Sequence, residues 1–387
     1  MLHTLKAFWK RPTTIIGLVT AVMFQIIFAI VWMTAYDGAT EADRLKQLKV
    51  GIVVSDQTAG REIADKLAKE LPVGTRLVAS GAEAEQLLNE RKLQMVITIP
   101  GNFSDSLKEP QRAAVIRYSI NESNPALTAN LMNSIAAKTT ATANKEAVAR
   151  GLKAAFVQGN LPAAAAEPLS ERITSEFVNV NEIHGMNNQM APMMLLLASY
   201  VGTMIMSMNI AQSSMALTAA GMGRWKLFAA RNTINVFAAV FVSLIGATLL
   251  MLLGGQVKHG FLLMWGFQSL FVLSFILLSQ FCLILFGMGG MLMNILLLSI
   301  QLVTSGAMLP RELLSTFYHR LGGALPASYA VEGSMDILFG GSGAGAASLI
   351  LLLFIVLTAG LSGLVTGLRK GRTQPVVQKS GEPQPIS

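Results

Sequence analysis

The chain has 387 residues, of which 52% are hydrophobic and only 13% are charged. Soluble domains normally carry about 25% charged residues, so the composition excludes an ordinary water-soluble protein. The net charge of +8 does not indicate a nucleic-acid partner, because residues 37–190 contain 17 basic and 18 acidic side chains and the excess lies in three short segments.

The first predicted unit covers residues 1–36. Residues 1–12 combine apolar and basic side chains, which predicts an amphipathic helix at the membrane interface. Residues 13–35 contain no charged side chain, and a stretch of this length crosses a bilayer. Because this stretch is longer than the apolar region of a signal peptide, we predict a transmembrane helix that is not cleaved.

Residues 37–190 form the second predicted unit, which opens as an α/β domain. Four short runs of β-branched or alternating apolar residues predict strands. Ser80 stands three residues before Glu83, which predicts a capped helix between the second and third strands. The predicted strands cover residues 49–54, 73–79, 94–99 and 114–120.

A helical hairpin is predicted to complete this unit. Asn124-Pro125 is a typical helix start. Leu169, Ile173 and Phe177 recur every four residues and predict a second helix. We therefore expect an α/β domain joined to the membrane through two helices.

Four further charge-free stretches follow the domain. Three are long enough for one crossing each, and residues 260–310 are long enough for two. The glycines between Gly287 and Gly290 predict the turn between those two. The chain is therefore predicted to have about six transmembrane helices, five of them within residues 191–370. The stretches are residues 193–220, 232–257, 260–310 and 341–368.

The basic clusters predict the orientation of the chain. Basic residues near the ends of spans stay in the cytoplasm, and six crossings place all three clusters on one side. Both termini, including the tail at residues 371–387, are thus predicted to be cytoplasmic, and residues 37–190 are predicted to lie outside. The clusters are Lys6/Lys10/Arg11, Arg224/Lys226/Arg231 and Arg369/Lys370/Arg372/Lys379.

The sequence carries no constellation that predicts catalysis. It lacks the phosphate-binding loop G-x-x-x-x-G-K-[ST], and its four histidines are scattered without metal-ligand spacing. We expect no catalytic residue, no metal and no cofactor. Polar side chains inside the predicted spans are uncharged amides, which argues against ion-coupled transport and favours hydrogen bonds between helices.

The connection between the second and third predicted spans is short and basic. It contains Arg224, Trp225 and Lys226. From the residues alone, these side chains are equally explained as an anchor at the cytoplasmic interface or as a contact for another protein.

Small residues form a stripe in the last predicted span. Ala359, Gly363 and Gly367 are spaced by four and share one helix face. Such stripes let helices approach closely. The stripe predicts a packing face, either within the chain or in a dimer.

Residues 308–340 are predicted to lie on the outer side. Pro310 and Pro326 interrupt the segment too often for another crossing, although its apolar side chains suit the membrane surface. Glu332 and Asp336 are four apart and are expected to form a solvated helix face.

Several segments resemble the permeases of ABC-2 type exporters, in the branch related to the YhgE/Pip group. In the predicted outer domain these are V-G-I-V-V-S-D at residues 50–56, L-N-E-R-K at 88–92 and M-V-I-T-I-P-G-N-F-S at 95–104. Near the end of the chain they are residues 301–310 and L-P-A-S-Y-A-V-E-G at 325–333.

The resemblance implies a dimeric permease, homomeric or heteromeric, that works with a separate cytoplasmic ABC ATPase in a bacterial plasma membrane. Residues 1–12 would be the interfacial elbow helix and residues 220–231, with Arg224, Trp225 and Lys226, would contact the ATPase. Residues 308–340 would be an outer re-entrant segment. Its candidate residues are Pro310, Pro326, Tyr329 and Glu332.

Export of a lipid-like or amphiphilic compound, such as an antibiotic, is the function that this resemblance implies. The alternative is a membrane-anchored receptor or scaffold, for example in phage adsorption or secretion, whose outer domain binds a partner. An ion-coupled transporter is a third and weaker alternative, because no charged residue lies within the predicted spans.

Overall fold

The structure is a computed structural model. The predicted elbow helix, nearly all of the first predicted span and the cytoplasmic tail lie outside the residues that it describes. The described residues are 30–31, 35, 41–109, 112–157 and 172–368.

An α/β domain forms the first part of the described chain. Apolar side chains from its strands and helices make a continuous core. Its elements are α1 (Ala42–Leu45), β1 (Lys49–Val54), α2 (Ala59–Glu70), β2 (Gly74–Leu77), α3 (Gly81–Asn89), β3 (Met95–Ile99), α4 (Phe103–Lys108), β4 (Ala114–Asn121), α5 (Ala126–Val157) and β5 (Ile173–Val180).

The strands form one mixed sheet in the order β2-β1-β3-β4-β5. β1 runs parallel to β2 and β3, β3 and β4 are antiparallel, and β4 runs parallel to β5. The four predicted strands are confirmed. β1 and β3 are buried along most of their length, which explains why both read as nearly continuous apolar runs.

The predicted helix starts in this domain are also confirmed. The Ser80 hydroxyl accepts a hydrogen bond from the Glu83 amide at 3.2 Å and caps α3. α5 begins directly after Pro125.

The predicted second helix of the hairpin is wrong. Residues 173–180 form β5, which pairs with β4 along its whole length. A spacing of four shares one face of a helix, but it also shares one face of a strand, because four is a multiple of the two-residue strand period. The open edge of β4 decides between them. A strand there gains a row of backbone hydrogen bonds, and the Phe177 ring stacks on Tyr118 with centroids 5.6 Å apart.

A helical bundle forms the second part. Four helical stretches in the described residues are long and apolar enough to cross a membrane, namely α6, α7, the α8–α9 stretch and α12. α6 begins five residues before the predicted boundary at residue 191. The helices are α6 (Met186–Ala219), α7 (Arg224–Leu252), α8 (Phe261–Phe286), α9 (Gly290–Thr304), α10 (Thr316–Gly323), α11 (Pro326–Phe339) and α12 (Gly345–Leu368).

The chain reverses direction between α8 and α9, as predicted. Asn294 Nδ2 donates to Ser279 Oγ at 2.9 Å, whereas fifteen residues of uninterrupted helix would separate them by about 22 Å. Gly287 opens the turn with φ +63°, a conformation that glycine adopts at little cost. The α8–α9 stretch is therefore a hairpin of two helices.

The α/β domain and the bundle share apolar contacts. The core of the domain continues into Val303, Leu309, Leu313 and Leu314, which lie at and beyond the end of α9. The domain therefore sits on the end of the bundle from which α6 departs. The α6–α7 turn lies at the opposite end, because α6 runs 34 residues away from the domain.

Candidate functional site

The predicted coupling residues lie at the end of the bundle far from the α/β domain. α7 begins at Arg224, directly after the turn that closes α6. Trp225 is 53% exposed, and Lys226 is exposed as well. A large aromatic side chain half open to its surroundings at a helix start is available to another molecule.

The predicted small-residue stripe meets the same segment. The Trp225 ring packs edge-to-face on Phe228 with centroids 5.9 Å apart. A Cβ added at Gly363 would meet the Phe228 ring at 3.6 Å, and one added at Gly367 would meet Trp225 at 3.5 Å. Gly363 and Gly367 therefore receive the aromatic rings of α7. Ala359, one turn away, is partly buried.

The last part of the predicted outer segment, α11, is interior to the bundle. α11 packs against both α8 and α12, and its residues are buried almost throughout. A Cβ added at Gly333 would lie 2.3 Å from the Phe267 ring, two turns inside α8. The Tyr329 ring lies 6.3 Å from Phe354, deeper along α12. The end of α11 lies at the domain side, where Ile337 and Leu338 accept hydrogen bonds from His259 and Lys258. α11 thus runs from inside the bundle toward the domain side and does not span it.

The two prolines of this segment delimit its turns. Pro310 is buried, and its carbonyl accepts a hydrogen bond from Leu313 in a short 3-10 turn. Pro326 occupies the first position of α11, where its missing N–H costs nothing. The Tyr329 hydroxyl donates to the Gly323 carbonyl at 2.7 Å and ties α11 to α10.

The expected solvated face of Glu332 and Asp336 is half wrong. Glu332 is exposed, but Asp336 is 4% exposed and pairs with Arg91 at 2.8 Å. Arg91 follows α3 in the α/β domain, and its Nε also donates to Ser123 at 3.2 Å. The ion pair joins the domain to α11. The sequence carried no signal for it, because the two residues lie far apart along the chain.

Two of the motifs that carry the family resemblance meet inside the α/β domain. Asp56, at the end of β1, accepts hydrogen bonds from the amide and hydroxyl of Ser104, both at 2.7 Å. It also accepts from the amides of Thr58 and Gly60 at the start of α2. Burial favours the neutral acid, but these bonds together hold the pKa of Asp56 well below its usual range. This network joins β1, α2 and α4.

Amide side chains in the bundle bond between helices. Asn235 of α7 donates to Gln280 of α8, and Asn294 of α9 bonds to α8 as described above. Gln301 accepts from the Ala327 amide at the start of α11 at 3.3 Å. The expectation of hydrogen bonds between helices is confirmed for these residues. Asn209, in contrast, is exposed and bonds within α6.

The α/β domain also contains an apolar pocket of about 310 Å³ between α2 and α5. Ile63, Leu67 and Ile135 are among its apolar lining residues. Lys66 and Glu146 also line it and form an ion pair. The pocket offers an apolar interior beside a charged group.

A comparison with known protein families identifies the family of this chain. The family described as "ABC-2 family transporter protein" matches residues 14–364. The chain belongs to this family. ABC-2 permeases are the membrane components of transporters and normally work with a cytoplasmic ATPase.

One relative supports the predicted branch of ABC-2 permeases. The uncharacterized protein YhgE of Bacillus subtilis (strain 168) is 27% identical over 164 residues, which cover 41% of this chain and 21% of YhgE. The aligned stretch thus spans about a fifth of that relative's length. No solved structure matches the chain.

Proposed function

We propose that this ABC-2 permease exports a lipid-like or amphiphilic compound, such as an antibiotic, and is powered by a separate cytoplasmic ATPase. The observation that carries the proposal is the family match over residues 14–364. The apolar pocket beside an ion pair in the α/β domain supports an amphiphilic cargo, because such cargo has an apolar body and a polar end.

The proposal includes six crossings, with both termini in the cytoplasm and residues 37–190 outside. The helices α6, α7, α8, α9 and α12 would supply five passes in alternating directions, and the charge-free stretch at residues 13–35 would supply the sixth. This arrangement puts the basic α6–α7 turn on the cytoplasmic side, in agreement with the positive-inside rule.

Coupling to the ATPase is assigned to Arg224, Trp225 and Lys226. A push on the exposed Trp225 would pass to α12 through Gly367 and, by way of Phe228, through Gly363. Two helices of the bundle would then move together from one contact. In a dimeric permease, homomeric or heteromeric, each subunit would present one such contact.

The outer re-entrant role is assigned to residues 308–340. α11 contacts α8 and α12 inside the bundle and the α/β domain through Arg91 and Asp336. A movement of the helices would therefore reach the domain that holds the apolar pocket. In the alternative function, a receptor, the domain would bind its partner without such a movement.

Substitution of Trp225 with Ala separates the two functions. Arg224 and Lys226 remain, so insertion and orientation should be normal. Loss of an interface aromatic costs about 2 kcal/mol or more, equivalent to at least about a 30-fold weaker interface. We expect normal amounts in the membrane, weaker co-purification of the ABC ATPase and loss of compound resistance.

Phe237→Ala is the matched control. Phe237 is a more exposed aromatic residue of the same helix, 72% against 53%, but it lies more than three turns from the α6–α7 turn. It should leave ATPase association unchanged. If Trp225→Ala keeps wild-type ATPase association and resistance, the coupling assignment is wrong and the receptor function gains support.

A further inference from the structure

A cavity of about 400 Å³ lies at the end of the bundle opposite the α/β domain. α6, α7, α12 and the α8–α9 turn surround it. Its lining includes Arg224 and Arg231 and is otherwise uncharged, with apolar side chains such as Leu227, Phe228 and Met288. The cavity therefore combines two guanidinium groups with an apolar wall.

Arg231 lies deeper in the bundle than an interfacial anchor. It is seven residues into α7 after Arg224, which corresponds to about 10 Å along the helix. Its Nε and Nη2 atoms are buried and have no hydrogen-bond partner within the part of the chain that the structure describes. Arginine stays charged in proteins, so this burial is unfavourable unless an anion lies beside it.

No acidic side chain of the bundle is available for that role. Residues 1–36, 183–311 and 337–381 contain no Asp or Glu. Glu312, Glu332 and Asp336 belong to the segment that packs at the other end, beside the α/β domain. The other acidic side chains that the structure describes lie in the α/β domain at that same end. None of the described residues therefore supplies a counter-ion for Arg231.

We propose that this cavity binds the phosphate headgroup of an anionic amphiphile. The guanidinium group of Arg231 is a planar donor that suits phosphate oxygens. The apolar wall can pack against the carbon chain of an amphiphile, and a free anion has no such chain. The proposal goes beyond export, because headgroup binding at this site does not require transport. The same chemistry is present in a phospholipid of the bilayer and in an exported phosphate-bearing amphiphile.

The test uses the full chain in phosphatidylcholine nanodiscs with or without phosphatidylglycerol, read by native mass spectrometry and by thermal unfolding. The wild type should retain phosphatidylglycerol in preference to phosphatidylcholine and unfold at a higher temperature when it is present. Arg231→Gln should weaken retention about tenfold or more, because a hydrogen bond to a charged group is lost. Arg231→Lys should keep part of the retention.

The difference in unfolding temperature between Arg231→Gln and the wild type should depend on the lipid. In phosphatidylcholine alone, the choline cation neutralises the lipid phosphate, so the buried charge of Arg231 has no net anionic partner. Arg231→Gln should therefore unfold at the wild-type temperature or above it in this lipid. With phosphatidylglycerol, the wild type should be the more stable. A variant that merely disrupts packing would be less stable in both lipids, and that outcome would overturn the proposal.

Two further variants control for general charge and for folding. Lys226→Gln removes a neighbouring charge that does not line the cavity, so its retention of phosphatidylglycerol should match the wild type. Ala211→Phe fills the cavity from α6 without removing a charge and should reduce retention as Arg231→Gln does. Equal loss in Lys226→Gln would indicate only nonspecific attraction to an anionic surface.

Two added ligands distinguish the sources of the anion. Inorganic phosphate should not displace phosphatidylglycerol, because it has no carbon chain for the apolar wall. If it does displace the lipid, the site is one for a free anion. If the purified ATPase displaces phosphatidylglycerol from the wild type and also binds Arg231→Gln less tightly than the wild type, an acidic side chain of the ATPase is the true counter-ion and the lipid proposal is wrong.

Discussion

At the scale of single residues, the ion pair between Arg91 and Asp336 links the α/β domain to the bundle. Both side chains are largely buried, 16% and 6% exposed. Loss of one partner leaves a buried charge without compensation, which costs about 3 kcal/mol. We expect Arg91→Ala or Asp336→Ala to lower the unfolding temperature, and the double variant to recover part of the loss.

An exposed pair provides the comparison for this cycle. Arg76 and Glu83 are 3.1 Å apart with side chains 55% and 41% exposed, and exposed pairs contribute about 0–1 kcal/mol. Coupling energies from thermal unfolding of both sets measure the difference. Equal coupling in the two pairs would remove the Arg91–Asp336 pair as a link between domain and bundle.

Asp56 makes the stability of the α/β domain depend on pH. Its folded-state pKa is depressed by hydrogen bonds from Ser104, Thr58 and Gly60, so its contribution is present above the unfolded-state pKa of about 4 and is lost as pH falls below it. Asp56→Asn should cost about 2 kcal/mol at neutral pH. It should also flatten the decline in unfolding temperature on acidification, measured by circular dichroism. A decline as steep as in the wild type would assign the acid sensitivity to other carboxylates.

At the scale of elements, the contact between α11 and α8 depends on Gly333. Its Cβ position lies 2.3 Å from the Phe267 ring, so Gly333→Ala should force the helices apart and cost about 1–3 kcal/mol. Truncation of the ring in Gly333→Ala/Phe267→Leu should restore part of the unfolding temperature. Gly360→Ala in α12 is the control, because no atom lies within 4 Å of the added Cβ. That substitution should be neutral or slightly stabilising. If Gly333→Ala is equally harmless, α11 is not fixed against α8.

The stripe of small residues shows how the neighbours of an element define its role. The spacing of Ala359, Gly363 and Gly367 predicted a packing face, and a helix in a dimer would have the same spacing. In the structure Gly363 and Gly367 receive the rings of Phe228 and Trp225. These aromatic residues belong to α7, far from α12 along the chain. The packing therefore consists of aromatic rings that lie on glycine residues, and not of two helix backbones in close contact.

At the scale of the whole molecule, the proposed topology is tested by cysteine labelling in a Cys282→Ser background, since Cys282 is buried and is the chain's single cysteine. Cysteines in place of the exposed Lys108 and Thr316 should react with an impermeant maleimide added outside the cell. A cysteine in place of Met222, 51% exposed at the α6–α7 turn, should react only after permeabilisation. Labelling of that position from outside would reverse the orientation and the coupling assignment with it.

Composition and periodicity by themselves determined the class of this protein. Long charge-free runs leave a helix in a membrane as the favourable state, and the glycines at residues 287–290 marked the turn that the structure contains. The β-branched runs at β1 and β3 and the cap at Ser80 likewise act locally. Local signals of this kind depend on neighbours within about ten residues along the chain, so they are readable before the fold is known.

The tertiary structure alone decided which surfaces meet. The spacing of apolar residues in β5 fits both a helix and a strand. Only the open edge of β4 favours the strand. Asp336 was expected to be solvated because its partner, Arg91, lies more than 200 residues away. The sequence predicts Arg231 as one more cytoplasmic charge, but its Nε and Nη2 atoms are buried and have no hydrogen-bond partner among the described residues. Burial and pairing over such distances are set by packing, and packing has no fixed spacing along the chain.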